Sequence, residues 1–408
     1  MSRTVKRYAI LGAAVAVILF AAGCGTTATP TASAGTSRAT STAVATSSPT
    51  PSPEASASAT APTGNTSSTW QVVNANAAAG ASLNGVACVT DDDCWAVGGI
   101  GADTVASGPL IENYSGGSWA VVPSPALSGF GTLSAVSCPS SDDCWAVGDV
   151  APQATDSASV APVIEQYTGG AWAVVVGPQL SGSGYLTGIS CPTAGSCWAV
   201  GTSLAPNGHG TLIEQYANGA WTVGTSSPIE NGALGSISCT ASDDCWAVGG
   251  AAGSTSSSQT LILHLAGSSW TSDSFSTPGG LMSVTCISAS DCWAAGSQED
   301  QPLVIQYSGS TWVTAATPPI TGGGQLDGVA CGASADCWAV GTVLGEEGEA
   351  DLPLVEEWDG NGWTQVDGPS VSEYAALDGV TSSGSGSPWA VGYSGQQYAG
   401  AALIQTDG

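Results

Sequence analysis

Basic side chains are almost missing from this chain. Only four of its 408 residues are Lys or Arg, and Arg3, Lys6, Arg7 and Arg38 account for all of them. From Trp70 to Gly408 there is none, against 31 carboxylates, the 32 of the whole chain less Glu54. The imbalance comes from lost bases, since 31 acids in 339 residues is an ordinary content. At neutral pH such a stretch repels nucleic acid and anionic lipid surfaces, which excludes both as partners of this region. It can form no Lys or Arg salt bridge, so packing, hydrogen bonds and disulfides have to hold it. In acid its carboxylates neutralise and few positive charges remain to repel one another, so an acid-tolerant domain is expected.

The basic residues gather at the N-terminus instead. Arg3, Lys6 and Arg7 precede an apolar run over 9–20, and Ala21-Ala22-Gly23-Cys24 follows. That order reads as a processing segment over 1–23, and its last four residues resemble a bacterial lipobox, which implies cleavage before Cys24 and lipid attachment to its sulfur. Residues 24–69 are then a lipidated Cys followed by Ser, Thr, Ala, Pro and Gly with almost no charge. Such a composition cannot bury enough apolar surface to offset its chain entropy, so a tether spanning on the order of 40 Å is expected. The cysteine count agrees: 12 of 13 fall in pairs further on, leaving Cys24 as the odd one.

From residue 70 onward one phrase recurs. Leu83-Asn84-Gly85-Val86-Ala87-Cys88 is followed, after five residues, by Cys94-Trp95-Ala96-Val97-Gly98. Its Trp returns at 145, 198, 246, 293, 338 and 389, at intervals of 45 to 53 residues. That is the period of a propeller blade. Each repeat offers four short strands: Leu-x-Gly-Val-x-Cys, Cys-Trp-Ala-Val-Gly, a Leu-Ile-Glu-x-Tyr type as at 109–114, and one opening on a Trp such as Trp119. The last repeat lacks its fourth strand, while Trp70-Gln71-Val72-Val73 stands alone ahead of the first. The expectation is an all-β, seven-bladed β-propeller over 70–408, with four-stranded blades and the N-terminal strand completing the last one. Closure of this kind removes free sheet edges.

Six blades are expected to carry one intrablade disulfide each: Cys88–Cys94, Cys138–Cys144, Cys191–Cys197, Cys239–Cys245, Cys286–Cys292 and Cys331–Cys337. Cross-strand neighbours lie within disulfide reach, and each small loop contributes about 2 kcal/mol. Zinc is the alternative, but two thiolates per blade lack the remaining ligands of a tetrahedral site. Ser382 and Pro388 take the cysteine positions in the last repeat. The Trp residues are expected in the inter-blade core rather than in a ligand cage.

By alternation of strand direction, the loops of variable length emerge on one face, where binding usually lives. The aromatic candidates there are Phe130, Tyr185, Tyr374, Tyr393 and Tyr398, with Asp103, Asp149, Asp156, Glu230, Glu299, Asp300 and Glu373 as acidic ones. Glu346, Glu347, Glu349 and Asp351 could together form a weak calcium site, against a solvated acidic turn as the plainer reading. No other cofactor is expected. Glu112, Glu165, Glu214 and Glu356 recur at one blade position, read as a structural hydrogen bond or outer-edge exposure. Asp143, Asp244, Asp291 and Asp336 are read as hairpin-turn residues. His209 is read as a solvated loop residue, and His264 as standing in for Gln.

The succession of a Gly-ended aliphatic strand, a Tyr strand and a Trp strand resembles kelch-type propellers, and Gly98-Gly99 and Gly249-Gly250 are similar to the kelch Gly doublet. The cysteine pairs are foreign to kelch, and the whole is more similar to exported bacterial repeat propellers on a lipoprotein anchor. Sialidase-like propellers would need an arginine cluster, which is absent here. Galactose-oxidase-like ones would need a Tyr–Cys crosslink, whereas these repeat cysteines are read as paired. The expected function is therefore a protein- or glycan-binding scaffold tethered at the outer face of a bacterial membrane. The alternative is an acid-tolerant carbohydrate-active hydrolase or lyase with carboxylates in the central mouth. A membrane contact is expected through the lipid alone.

Overall fold

A computed structural model describes residues 70–74, 80–101, 108–152, 159–205, 208–224, 229–252, 258–273, 275, 277–345, 349–368, 371, 374–382, 387–395 and 401–407. Cys24, the leader and the tether lie outside the described residues. The described part is all β: 28 strands arranged in four-stranded antiparallel sheets.

The blade count read from the Trp repeat is corrected here. Six blades, 81–122, 130–174, 183–223, 232–273, 280–315 and 324–365, are each built from four consecutive strands. Each holds one disulfide, so there are six intrablade disulfides in all. The remaining four-stranded sheet is a composite of both chain ends. Ala375–Thr381, Trp389–Ser394 and Ala401–Asp407 supply three strands, and Trp70–Asn74 pairs onto the last of them, Trp70 opposite Asp407. It has no disulfide because Ser382 and Pro388 occupy the cysteine positions.

First strands of successive blades pack side by side in a closed circuit: the sixth blade's lies against Ala375–Thr381, which in turn lies against the first blade's Ala81–Thr90. Each junction between neighbouring sheets has its own apolar cluster, which is why the second strand has no polar face. In the first blade Trp95 and Val97 face the second blade, while Cys94 and Ala96 face the composite sheet. The second-strand Trp meets the fourth-strand Trp of the next sheet edge to face at every junction, as in Trp95–Trp172, with ring centroids 5.3 Å apart and planes at 77°. Trp338–Trp70 and Trp389–Trp119 repeat this on either side of the composite sheet, at 5.3 and 5.4 Å. Such pairs add about 0.5–1.5 kcal/mol each beyond their buried area. The Trp residues are therefore core, as the repeat pattern implied.

One irregularity recurs in all seven sheets. Immediately after its buried Leu, the first strand carries one residue more than its partner, a β-bulge: Leu83 pairs Gly98, but Gly85 pairs Val97. The bulge brings the first strand's main chain hard against the second. A Cβ on Gly98 would stand 2.0 Å from the Ser82 carbonyl oxygen, and one on Gly341 2.1 Å from that of Gln325. The Gly closing Cys-Trp-Ala-Val-Gly is thus a requirement of close approach.

Candidate functional site

The seven bulged residues are Asn84, Ser134, Thr187, Gly235, Met282, Asp327 and Asp378. They sit near the variable-loop end of the innermost strands, and they differ in chemistry around the ring. Blades four and five contribute Gly235 and Met282, whereas the sixth blade and the composite sheet contribute two adjacent carboxyls. Gln325 donates to Asp327 Oδ1 at 2.9 Å. Burial pushes Asp327 up to about 7, and burial followed by the charge of Asp327 pushes Asp378 well above the ordinary carboxylate range. Tyr393, in the second strand of the composite sheet, is raised to about 12 by burial and then by the charges of Asp378, Asp351 and Asp327. Four acidic groups thus share one sector of the mouth.

A second pair lies at the junction of the second and third blades. Asp149, at the end of the second blade's second strand, is lifted to about 6 by burial. Tyr185, in the first strand of the third blade, is raised by burial first and by the charge of Asp149 last. Tyr185 stands opposite Thr202 across its strand pair.

Of the aromatic candidates, Phe130 and Tyr374 are the exposed ones, at 36% and 43%. Tyr185 and Tyr393 are half-buried and each faces carboxyls, while Tyr398 lies outside the described residues. The acidic candidates divide likewise. Glu230, Glu299 and Asp300 are exposed, and the last two make a tight turn with φ of 50° and 61°. Asp103, Asp156 and Glu373 lie outside the described residues. So do Glu346 and Glu347 of the calcium candidate. Glu349 is exposed, and Asp351 Oδ1 accepts the Gly345 amide at 2.8 Å, capping its own loop. Among the described residues no group of three potential ligands comes together as a metal site.

The recurring glutamates need correction. Glu112, Glu165, Glu214 and Glu356 are all 0% exposed, not on an outer edge. Each follows a pair of buried aliphatic residues in the third strand, such as Leu110-Ile111 or Leu354-Val355, and faces the preceding sheet, where Leu263 and Ile305 take the same slot in blades four and five. Ser124, in the linker leaving the first blade, donates to both oxygens of Glu165 at 3.3 Å. Neither oxygen of Glu214 or Glu356 has a hydrogen-bond partner. Burial pushes Glu165, Glu214 and Glu356 up to about 7. The hairpin aspartates do hold turns, and some also take a third-strand amide: Gln166 to Asp143 at 2.9 Å and Gln306 to Asp291 at 3.5 Å. His264 makes the same contact to Asp244 at 2.9 Å and stacks on Trp246, so it does replace Gln. His209 lies in a strand opposite Leu204, where its carbonyl accepts the Asn231 amide.

Sequence reasoning missed Asp327 and Asp378. Their signal was the variable residue of Leu-x-Gly-Val-x-Cys, which becomes conspicuous only once that position is known to be a bulge at the ring's centre.

No protein-family model matches the chain, and no curated protein matches it. Solved structures do share the fold. YCF48 bound to D1 peptide aligns with TM-score 0.52 and 13% identity, over 83% of this chain and 97% of that one. YCF48 from Cyanidioschyzon merolae aligns with TM-score 0.50 and 18% identity, over 83% and 98%. The WD40 beta propeller domain of Doa1 aligns with TM-score 0.54 and 11% identity, over 83% and 97%. At these identities the likeness establishes a β-propeller and nothing narrower. Six disulfides place the domain in an oxidising, extracytoplasmic setting. Among the described residues no helix is long and apolar enough to cross a membrane.

Proposed function

We propose that residues 70–408 form an extracytoplasmic binding propeller, held outside a membrane by a lipid on Cys24 and the 25–69 tether. Its variable face grips a polypeptide segment that carries basic side chains. One observation carries this reading: the variable loops present exposed carboxylates, Glu230, Glu299, Asp300 and Glu349, in a domain with no Lys or Arg to neutralise them. A surface of one charge sign concentrates oppositely charged ligands. Tyr374, exposed on the same face, supplies an aromatic anchor of the kind that dominates interfaces. YCF48, a propeller of similar fold, is itself bound to a D1 peptide.

The test is to titrate the purified full chain with labelled basic, neutral and acidic peptides and with cell-wall polysaccharides, at pH 7 and two salt concentrations. Basic peptides are expected to bind, to weaken with salt, and to lose about tenfold in affinity in Tyr374→Ala. Retention released by a soluble sugar would replace the peptide by a glycan. Equal binding of acidic and basic peptides would overturn the reading.

A second reading has one observation in its favour. Asp327 and Asp378 are neighbouring carboxyls with raised and unequal proton affinities, the arrangement of an acid–base pair. It requires polysaccharide cleavage that rises through about pH 7, where Asp327 ionises while Asp378 keeps its proton, and that Asp327→Asn abolishes.

A further inference from the structure

Inner strands of neighbouring sheets are joined by side-chain to main-chain hydrogen bonds, and these vary around the ring. Asn84 Nδ2 donates to the Leu133 carbonyl of the second blade at 2.8 Å, and Thr187 Oγ1 to the Leu234 carbonyl of the fourth at 2.6 Å. Both are bulge residues, and both reach the residue that precedes the next bulge. At the other three junctions within the six blades a serine accepts a main-chain N–H instead: Ser137 from Cys191 at 3.0 Å, Ser238 from Cys286 at 3.0 Å, and Ser283 from Val329 at 3.1 Å. Five junctions are therefore bridged by neutral groups.

The two junctions flanking the composite sheet differ. At the positions of Asn84 and Thr187 stand Asp327 and Asp378. Gly328 and Gly379 follow where Ser236 and Ser283 stand in blades four and five, and Ala330 replaces Ser137. The direction of a bulge side chain is given by Gly235, whose added Cβ would lie 3.3 Å from the Leu281 carbonyl oxygen and 2.9 Å from that of Met282. By the same geometry Asp327 points at the main chain of Leu377 and Asp378 at that of Leu83. A carbonyl oxygen accepts only from a donor, and a carboxyl donates only when it carries its proton.

We propose that Asp327 and Asp378 in their acid form donate to the main-chain carbonyls of Leu377 and Leu83, and that these two bonds latch the composite sheet into the ring. Gln325, by donating to one oxygen of Asp327, leaves the other for the proton. Loss of the proton to solvent sets a negative oxygen against a carbonyl oxygen, and the latch opens. The surroundings favour the acid form. Among the described residues Tyr393 feels the charges of Asp378, Asp351 and Asp327, so the titratable groups gathered around this pair are themselves acidic. The first blade's strand offers only Ser82 and Asn84 at this level, Asp336 lies in the hairpin at the far end of its strand, and Glu356 lies one strand further out. No Lys or Arg is present in 70–408, and the two histidines belong to blades three and four. Burial shifts both carboxyls in the required direction.

Amide hydrogen exchange on the full chain, from pH 5 to pH 8 and corrected for intrinsic rates, tests this directly. In the wild type, protection of Ala375–Thr381 and Ala401–Asp407 is expected to fall about tenfold more than that of blades three and four. In Asp327→Asn/Asp378→Asn, which places Asn84's side chain at both latch positions, the difference should vanish and the composite sheet should stay protected at pH 8. An equal loss in all blades of the wild type would overturn the latch without recourse to any variant. So would a double variant that keeps the wild-type pH profile.

Discussion

Gly341 and Glu214 show how much one side chain decides here. A methyl group on Gly341 would stand 2.1 Å from a main-chain oxygen that the bulge holds in place, so Gly341→Ala is expected to cost about 3 kcal/mol or more, read from the shift of a denaturant midpoint. Glu214 is the opposite case, a buried carboxyl without a partner. Glu214→Leu copies the Leu263 of blade four and is expected to stabilise the fold by about 1–3 kcal/mol at pH 8, with a smaller gain at pH 4. Urea titrations of both proteins at the two pH values check it. Neither effect was legible in the residues alone. A Gly at a strand end reads as a turn, and a Glu two positions before a Tyr reads equally well as exposed or enclosed. Only the bulge and the preceding sheet, both products of distant sequence, distinguish the cases.

Among elements, the second strand was the most legible. Its unbroken Cys-Trp-Ala-Val-Gly predicted burial on both faces, and Cys245, Trp246, Ala247 and Val248 are each at most 2% exposed. Cysteine spacing likewise gave the hairpin that joins first and second strands, since Cys239 pairs directly with Cys245. Removing that pair as Cys239→Ala/Cys245→Ala is expected to cost about 2 kcal/mol, while the same change elsewhere leaves the other five bridges intact. Thermal unfolding compared with the wild type checks the figure. The composite sheet, without a bridge, is expected to be the first element lost when the protein is heated under oxidising conditions. The extra residue in each first strand was invisible beforehand, because Leu-x-Gly-Val keeps an apolar residue at either end of the slip and so fits both registers.

For the whole molecule, the raised carboxyls act together. Asp149 is held at about 6, Glu165, Glu214, Asp327 and Glu356 at about 7, and Asp378 higher than the ordinary range. In the unfolded chain these groups release protons between about pH 4 and 5. From there up to about pH 7 the folded state binds more protons than the unfolded one, so stability falls as pH rises. The melting temperature is therefore expected to be highest near pH 4–5 and lower at pH 8, the reverse of a protein held by salt bridges. A calorimetric series across that range checks the sign, and a melting temperature that rises toward pH 8 would contradict it. The depletion of bases had already suggested acid tolerance from net charge. The buried carboxyls supply a second and independent cause.

The seam between the chain ends sets an order of events. Trp70–Asn74 is synthesised before any blade, yet its partner Ala401–Asp407 is the last of the described strands to be made. Six disulfide-bonded blades can assemble locally in the interval, because each is made of neighbouring segments. Throughout that time the first strand must wait without a mate, its Val72 and Trp70 facing water. Folding of this protein is thus a race in which the opening residues are committed last. A circular permutant that moves residues 70–74 behind Asp407 through a short glycine turn should remove the wait, refolding faster to the same end state.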